Sequence, residues 1–454
     1  MDQPFFFHAL KVDDKACIGC SHCMNACPTE AIRIWNGKAV IDDNKCVDCG
    51  ECFRVCQVNA IYVEDNDFEQ IYRFKYRVAL FPAVFVGQFP EEIKVSQIYS
   101  ELHKIGFTHL FEVERAVEIL NESIVDYQEN KENELPIISS FCPAIIRLIQ
   151  VKFPSLVDNI LRLGTPSDIA AHFYKQKLID EGIPVNEIGI FYITPCAAKI
   201  AAIKNPVGEE KSIVDGAINL NRLFNKVYRN IKQATEDVLI SQATELFSYE
   251  VLWTLTKGES SRVKGRALAI DGINSVMEFL EKVENREVHN IDYLECRACK
   301  EGCAGGILNP QNRFLTVERL NKRVSLNLKK NKQFSSSGIV NYKEYLNEKM
   351  ILDKLVPRSM MMLDSDMALA MKKMVKAQKI EAELPGIDCG ACGAPSCKAL
   401  SEDIVKGDAT LSHCVFVQNV LMQNGEINME TAFAIIDKIW GEHKVVKGSI
   451  KSGK

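Results

Sequence analysis

Short apolar runs alternate with amphipathic stretches through the middle of the chain. Arg77–Gly87 is an apolar run that reads as a strand. Thr108–Glu112 reads as a second strand, followed by a helical stretch at Ala116–Gln128. Leu135–Ser139 predicts a short strand that meets Cys142 and Pro143, with a helix at Ala144–Val151. Proline suits a first helical turn, where its missing N–H would have no partner. Ile188–Ile193 leads to Cys196 and a helix at Ala197–Ile203. Arg266–Ile270 runs into Asp271-Gly272 and a helix at Asn274–Lys282, and Ile291–Leu294 reads as a buried strand. Strand followed by helix, repeated, predicts sheets covered by helices. In such folds the carboxyl ends of the strands form the ligand crevice.

The ends of the chain follow other patterns. After Gln311 the sequence grows polar, and Gln333–Gly338 (QFSSSG) marks a boundary loop. Tyr342–Leu384 is helical by pattern. Its methionines, Met360–Met362, Met367, Met371 and Met374, read as core filling. The tail Val445–Lys454 is basic and reads as frayed.

The 454 residues fit about three domains, and 47% hydrophobic with 25% charged residues is ordinary for a globular protein. A net charge of −5 without a basic stripe argues against nucleic-acid binding. No apolar run approaches the roughly 20 residues that span a bilayer. The start, MDQPFFFHALKVDD, lacks the basic and apolar regions of a signal peptide. A cytoplasmic location without membrane insertion is expected.

The 17 cysteines change the picture. They fall into three groups, eight before residue 57, five from 142 to 303 and four from 389 to 414. In a large chain without a signal peptide such grouping points to metal rather than disulfides. Cys17, Cys20, Cys23 and Cys27 follow C-x2-C-x2-C-x3-C, with Pro28 next. Cys46, Cys49, Cys52 and Cys56 repeat that spacing 29 residues on. Each tight loop wraps three corners of a cubane, and the fourth cysteine of each run ligates the other cluster. Cys17, Cys20, Cys23 and Cys56 are therefore expected to hold one 4Fe–4S cluster, and Cys27, Cys46, Cys49 and Cys52 a second. Two related halves follow, each with a turn, a helix and a strand (Ala31–Trp35, Ala60–Val63). The region resembles bacterial two-cluster ferredoxins. Zinc fits poorly, because zinc sites close with four ligands rather than two interleaved sets.

Cys389, Cys392, Cys397 and Cys414 follow C-x2-C-x4-C-x16-C, with glycines and Pro395 making a tight loop and a helix at Lys398–Val405. This looks like the small 4Fe–4S domain of corrinoid iron–sulfur proteins and some membrane electron-transfer proteins. Val415 departs from the proline that often follows the last cysteine.

Between these ends, LECRACKEGCAGG (Leu294–Gly306) carries Cys296, Cys299 and Cys303. Cys299 and Cys303 need partners from elsewhere, and Cys142 and Cys196 each sit past an apolar run. One crevice could gather all four. SSFCP, TPCAAK and ECRACKEGCAGG, in that order, are similar to the three signature loops of iron-only (FeFe) hydrogenases. The resemblance implies an α/β core of two lobes with sheets flanked by helices. It implies that Cys142, Cys196, Cys299 and Cys303 hold a 4Fe–4S cluster, with Cys303 bridging to a two-iron subcluster that carries CO, CN and dithiolate ligands. Pro195 and Lys199 match positions that contact its cyanide. A surface helix lysine is the other reading of Lys199.

The departures are specific. Phe141 stands where the family has a proton-passing cysteine, Ala202 where it has a glutamate and Arg297 where it has a methionine. The third loop has Lys300-Glu301-Gly302 where two glycines are common. A phenyl ring relays no proton, so slow hydrogen turnover and a sensory or regulatory role are expected. Cys296 reads either as a buried free thiol or as a substitute proton donor helped by Glu295. The resemblance makes H2 and protons the substrates, with a ferredoxin-like redox partner or a signalling protein receiving the output, and a homodimer as one assembly. The alternative is an electron-transfer or scaffold protein with four 4Fe–4S clusters and no two-iron subcluster. The expected organisation is 1–70 two-cluster ferredoxin domain (α+β), 71–341 hydrogenase-like domain, 342–384 helical connector and 385–454 small, mainly helical 4Fe–4S domain with a basic tail.

Overall fold

A computed structural model describes residues 7–130, 134–231, 249–329, 338–358 and 367–441. The boundary loop at 333–337, Met360–Met362 and the tail from Val445 lie outside the described residues. The chain divides into two compact units. One comprises 1–9, 47–49 and 64–358, the other 10–46, 50–63 and 359–454.

The second unit holds most of both terminal cysteine regions. β1 (Leu10–Val12) pairs antiparallel with β4 (Ile61–Val63), and β2 (Ile32–Trp35) with β3 (Lys38–Ile41). The hairpin β2–β3 goes beyond the sequence reading; its turn residues Asn36 and Gly37 both take positive φ, as a two-residue hairpin turn requires. Short helices at His22–Asn25 and Glu51–Val55 follow the two cysteine loops. The carboxy-terminal part is helical, with Cys397–Lys406, Val415–Gln423 and Met429–Trp440. Buried Lys45 pairs with Glu402 at 2.7 Å and Arg33 with Asp403 at 2.6 Å within this unit. The Tyr342–Leu384 stretch is helical at Lys343–Lys349 and Met367–Glu383, with irregular chain at 351–358.

The first unit is the α/β core. Its larger sheet is parallel in the order β6 (His109–Glu112), β5 (Tyr76–Phe81), β8 (Ile188–Thr194), β9 (Gly216–Asn219). Every residue of β8 is buried, as expected for a parallel strand covered on both faces. Alternation splits the sheet between two cores. Val78, Leu80, Ile188, Ile190 and Tyr192 enter one, and Ala79, Phe81, Phe191 and Ile193 the other. The smaller sheet is also parallel, in the order β10 (Ala267–Asp271), β11 (Tyr293–Arg297), β7 (Ile137–Ile138).

Two sequence expectations need correction here. Arg77–Gly87 is not one strand: β5 ends at Phe81, and Pro82 caps a short helix, Ala83–Val86, buried on every side. A fully apolar run carries no period that separates a strand from a buried helix. The strand before the third cysteine loop also runs past Leu294 to Arg297, which puts Cys296 inside β11.

Val47–Cys49 belongs to the first unit. Asp48 is fully buried there, accepting from Arg147 Nη1 at 2.6 Å and from the Ala9 N–H at 3.0 Å. Val47 and Cys49 pack into the apolar cluster that also contains Ile145, Cys142 and Cys196.

Candidate metal centre

Three strand ends deliver the central cysteines. Cys142 caps the helix Pro143–Lys152 a few residues beyond β7, and Cys196 caps Ala197–Lys204 just beyond β8. Cys299 and Cys303 follow β11, with Cys303 in a single 3-10 turn at Gly302–Gly305. Helix N-termini offer N–H groups and a positive dipole end, both of which favour thiolate over thiol.

Hydrogen bonds knit the three loops. The Ser139 N–H donates to the Leu294 carbonyl at 2.9 Å, and the Ala298 and Ile145 N–H groups donate to the Cys142 sulfur. The Leu308 N–H donates to the Pro195 carbonyl at 3.0 Å. Gly306 permits that approach, since a Cβ there would lie 2.5 Å from the Pro195 oxygen. Glu301 and Gly302 both take left-handed backbone, at φ 63° and 60°. The Glu301 N–H donates to Asp271 Oδ2 at 2.8 Å, which holds a non-glycine residue in that conformation.

The structure brings Cys142, Cys196 and Cys303 together, each acting electrostatically on the next. Burial pushes the Cys196 thiol up to about 12, and Cys142 and Cys303 add to it. Burial also raises Cys142. Burial opposes ionisation of Cys303 as well, but Lys199, Arg297 and a hydrogen bond from Thr254 outweigh it and hold this thiol below its ordinary value. Cys299, four residues before Cys303, has its Cβ 3.3 Å from where a Cβ on Gly305 would stand. Buried thiolates gathered in one place repel one another unless a cation joins them. Soft sulfur ligands of this kind suit iron–sulfur clusters. The donor set therefore fits a 4Fe–4S cluster.

Lys199 is a half-buried residue rather than a surface one. Its ammonium donates to Tyr192 Oη at 3.0 Å. Burial alone would lower its pKa, but Tyr192, Cys303 and Cys196 prevail and keep it protonated. Pro195 lies between β8 and Cys196, its carbonyl engaged by Leu308. Cys296 is fully buried and enters an apolar core with Leu294 and Ile138. Burial, then Glu259 and Cys142, raise its thiol.

A buried polar cluster that sequence reasoning missed surrounds Arg297. Its Nη2 donates to Glu259 Oε2 at 2.9 Å, its Nε to Glu295 Oε1 at 3.4 Å, and its guanidinium lies 4.9 Å from the Trp253 ring centroid. Phe141 stacks obliquely on the same Trp253 at 5.1 Å. Glu259 also accepts from Ser139 Oγ and from Tyr293. The partners are up to 120 residues apart, so no local pattern announces them.

In the amino-terminal loops, burial first and then Cys17, Cys20 and Cys56 push the Cys23 thiol up to about 12, so these four lie together. Cys27 and Cys56 sulfurs accept from Ala31 and Ala60 N–H, both at 3.2 Å, the same contact in each repeat. Cys52 opens into the helix Glu51–Val55, and Cys46 and Cys49 precede it. At the other end, Cys389 and Cys414 both act on Cys392, and Cys392, Cys397 and Cys414 pack in one apolar cluster. None of the seventeen cysteines is in a disulfide.

Residues 75–245 match the iron only hydrogenase large subunit, C-terminal domain; residues 16–60 match a 4Fe-4S dicluster domain; residues 384–416 match an Fe-S cluster family. Iron hydrogenase 1 of Clostridium pasteurianum is 24% identical over 256 residues, 55% of this chain. The chain spans 42% of that relative's length. A component of the ion-translocating oxidoreductase complex of Thiobacillus denitrificans is 47% identical over 38 residues, 8% of this chain and 20% of the relative. A solved structure of a variant FeFe-hydrogenase from Chlamydomonas reinhardtii superposes with a TM-score of 0.50 at 16% identity, covering 65% of this chain and 97% of that one, a likeness of fold. Residues 75–245 are thus similar to the iron-only hydrogenase large subunit, in a chain that also matches a 4Fe–4S dicluster domain and a small iron–sulfur family.

Proposed function

We propose that this chain is an H2 oxidoreductase of hydrogenase type, slow in turnover and regulatory in use. One observation carries the reading: the Lys199 ammonium is held beside Cys303 with Tyr192 as its hydrogen-bond partner. A buried ammonium is costly unless it meets acceptors, and a cyanide-bearing two-iron subcluster held at Cys303 would supply them. That group, when bound, provides the iron at which H2 is split or formed. The chain's own part is to hold the cube with Cys142, Cys196, Cys299 and Cys303, to orient the subcluster with Lys199 and Pro195, and to exclude water with Phe141 and Trp253. Cys296, enclosed in apolar core, has a structural role in this reading rather than that of a proton donor.

Residues 1–70 and 385–454 would hold three further 4Fe–4S clusters and pass electrons to a ferredoxin-like or signalling partner. Cys49 packs against the apolar cluster that carries Cys142 and Cys196, which suits electron entry at that point. A cytoplasmic location, and a homodimer as one assembly, complete the proposal. No helix among the described residues is long and apolar enough to cross a membrane.

A second reading has an observation of its own. Phe141, Trp253 and Arg297 pack tightly beside the cysteines, which favours a plain electron-transfer or scaffold protein without the two-iron group. Infrared spectroscopy after maturation with the two-iron complex separates the two. Carbonyl and cyanide bands support the hydrogenase reading; their absence after competent maturation leaves the second.

A further inference from the structure

The function proposed above leaves one task without residues, the supply of protons. Phe141 and Ala202 stand where carriers are expected. A small cavity of about 70 Å³ borders Lys199 and Tyr192. Ala202 lines it, and its methyl leaves room that a longer side chain would fill. Asp168, Thr165 and Glu209 line the same space. Thr165 Oγ1 lies 2.6 Å from Asp168 Oδ2 and 2.6 Å from Ser167 Oγ, so hydroxyl and carboxylate are already linked. Glu209 is half-buried. The walls are mainly apolar, but Thr165, Asp168, Glu209 and Ser212 offer the donors and acceptors that a water in this space needs.

We infer that this cavity is a proton path, running from Glu209 through water, Asp168 and Thr165 to the Tyr192–Lys199 pair beside Cys303. The inference rests on the hydrogenase reading. A proton taken from water by the Glu209 carboxylate is passed on one step at a time. Each group from Glu209 to Tyr192 releases one proton as it accepts the next, so all return to their starting forms and no electron is consumed, while Lys199 stays protonated. Burial, then Asp168 and Asp353, push the Glu209 carboxyl up to about 7, where gain and loss of a proton are both easy near neutral pH.

The test uses the full chain in two states. Protein carrying only its iron–sulfur clusters is exchanged into D2O, reduced and frozen, and electron spin-echo modulation reports deuterons near the clusters. The difference between parent and Ala202→Phe isolates this site, and the filled cavity is expected to remove deuterium coupling. Glu209→Gln is expected to keep the coupling but to lower turnover of the matured enzyme about a hundredfold, with the KM for H2 unchanged and partial rescue by imidazole. Should Ala202→Phe fail to take up clusters, Glu209→Gln carries the test alone. Unchanged coupling in Ala202→Phe, or unchanged turnover in Glu209→Gln, overturns the inference alone. Missing carbonyl and cyanide bands in the matured parent overturn the functional reading and the inference with it.

Discussion

Replacing Arg297 by methionine gives this chain the residue type its relatives are expected to carry, yet it should destabilise the protein. Arg297 is 3% exposed and ion-paired with Glu259 and Glu295, both fully shielded from solvent. Removing the cation strands two buried carboxylates, which typically costs about 3–5 kcal/mol. The loss should depend on pH. Burial pushes the Glu259 carboxyl from 4.5 to about 7 against the pull of Arg297, and without the guanidinium it rises further. A carboxyl whose folded value exceeds its unfolded one binds more protons when folded across that window, so stability falls as pH rises through it. Each unit of pH contributes up to about 1.4 kcal/mol. Arg297→Met should therefore lose most at pH 8 and less at pH 6. The double variant with Glu259→Gln should recover much of the deficit at pH 8. Anaerobic urea titration of the cluster-loaded protein, followed by circular dichroism, measures this. An equal shift of midpoint at pH 6 and 8, unmoved by Glu259→Gln, would refute the reasoning.

Other outcomes follow from the same geometry. Gly306→Ala places a methyl 2.5 Å from the Pro195 oxygen and should prise the second and third loops apart, seen as loss of about four irons per chain after reconstitution. Cys23→Ser should remove about one cluster of four from the iron count while leaving hydrogenase-type infrared bands in place, because its partners are Cys17, Cys20 and Cys56. Thr165→Ala breaks the cap of the helix Pro166–Asp180, where Thr165 accepts from the Asp168 N–H, and should cost about 1 kcal/mol in denaturant stability.

The amino-acid sequence revealed the metal chemistry more fully than the packing around it. Cysteine spacing is local, so the two amino-terminal repeats and the 389–414 loop could be read directly. The strands before Cys142 and Cys196 were legible because each is an apolar run followed by a cysteine with a proline next to it. The strand Gly216–Asn219 was missed, since four residues with glycine and asparagine carry little β signal. The helix Ala83–Val86 reads as strand in the sequence because burial on all sides erases its period. The Glu259–Arg297–Trp253 cluster was invisible because its members meet only after folding. Arg297 looked like a defect in a motif, and only its partners explain how a guanidinium survives there.

The ion pair between Asp48 and Arg147 has a practical consequence for anyone trimming this chain. Cutting at residue 71 to isolate the larger module looks harmless in linear order. It would remove Asp48 and leave Arg147, 1% exposed, without that carboxylate deep inside what remains. A shortened version would do better with Arg147 replaced by an aliphatic residue of similar size, so that excision does not expose a hidden charge to an empty socket.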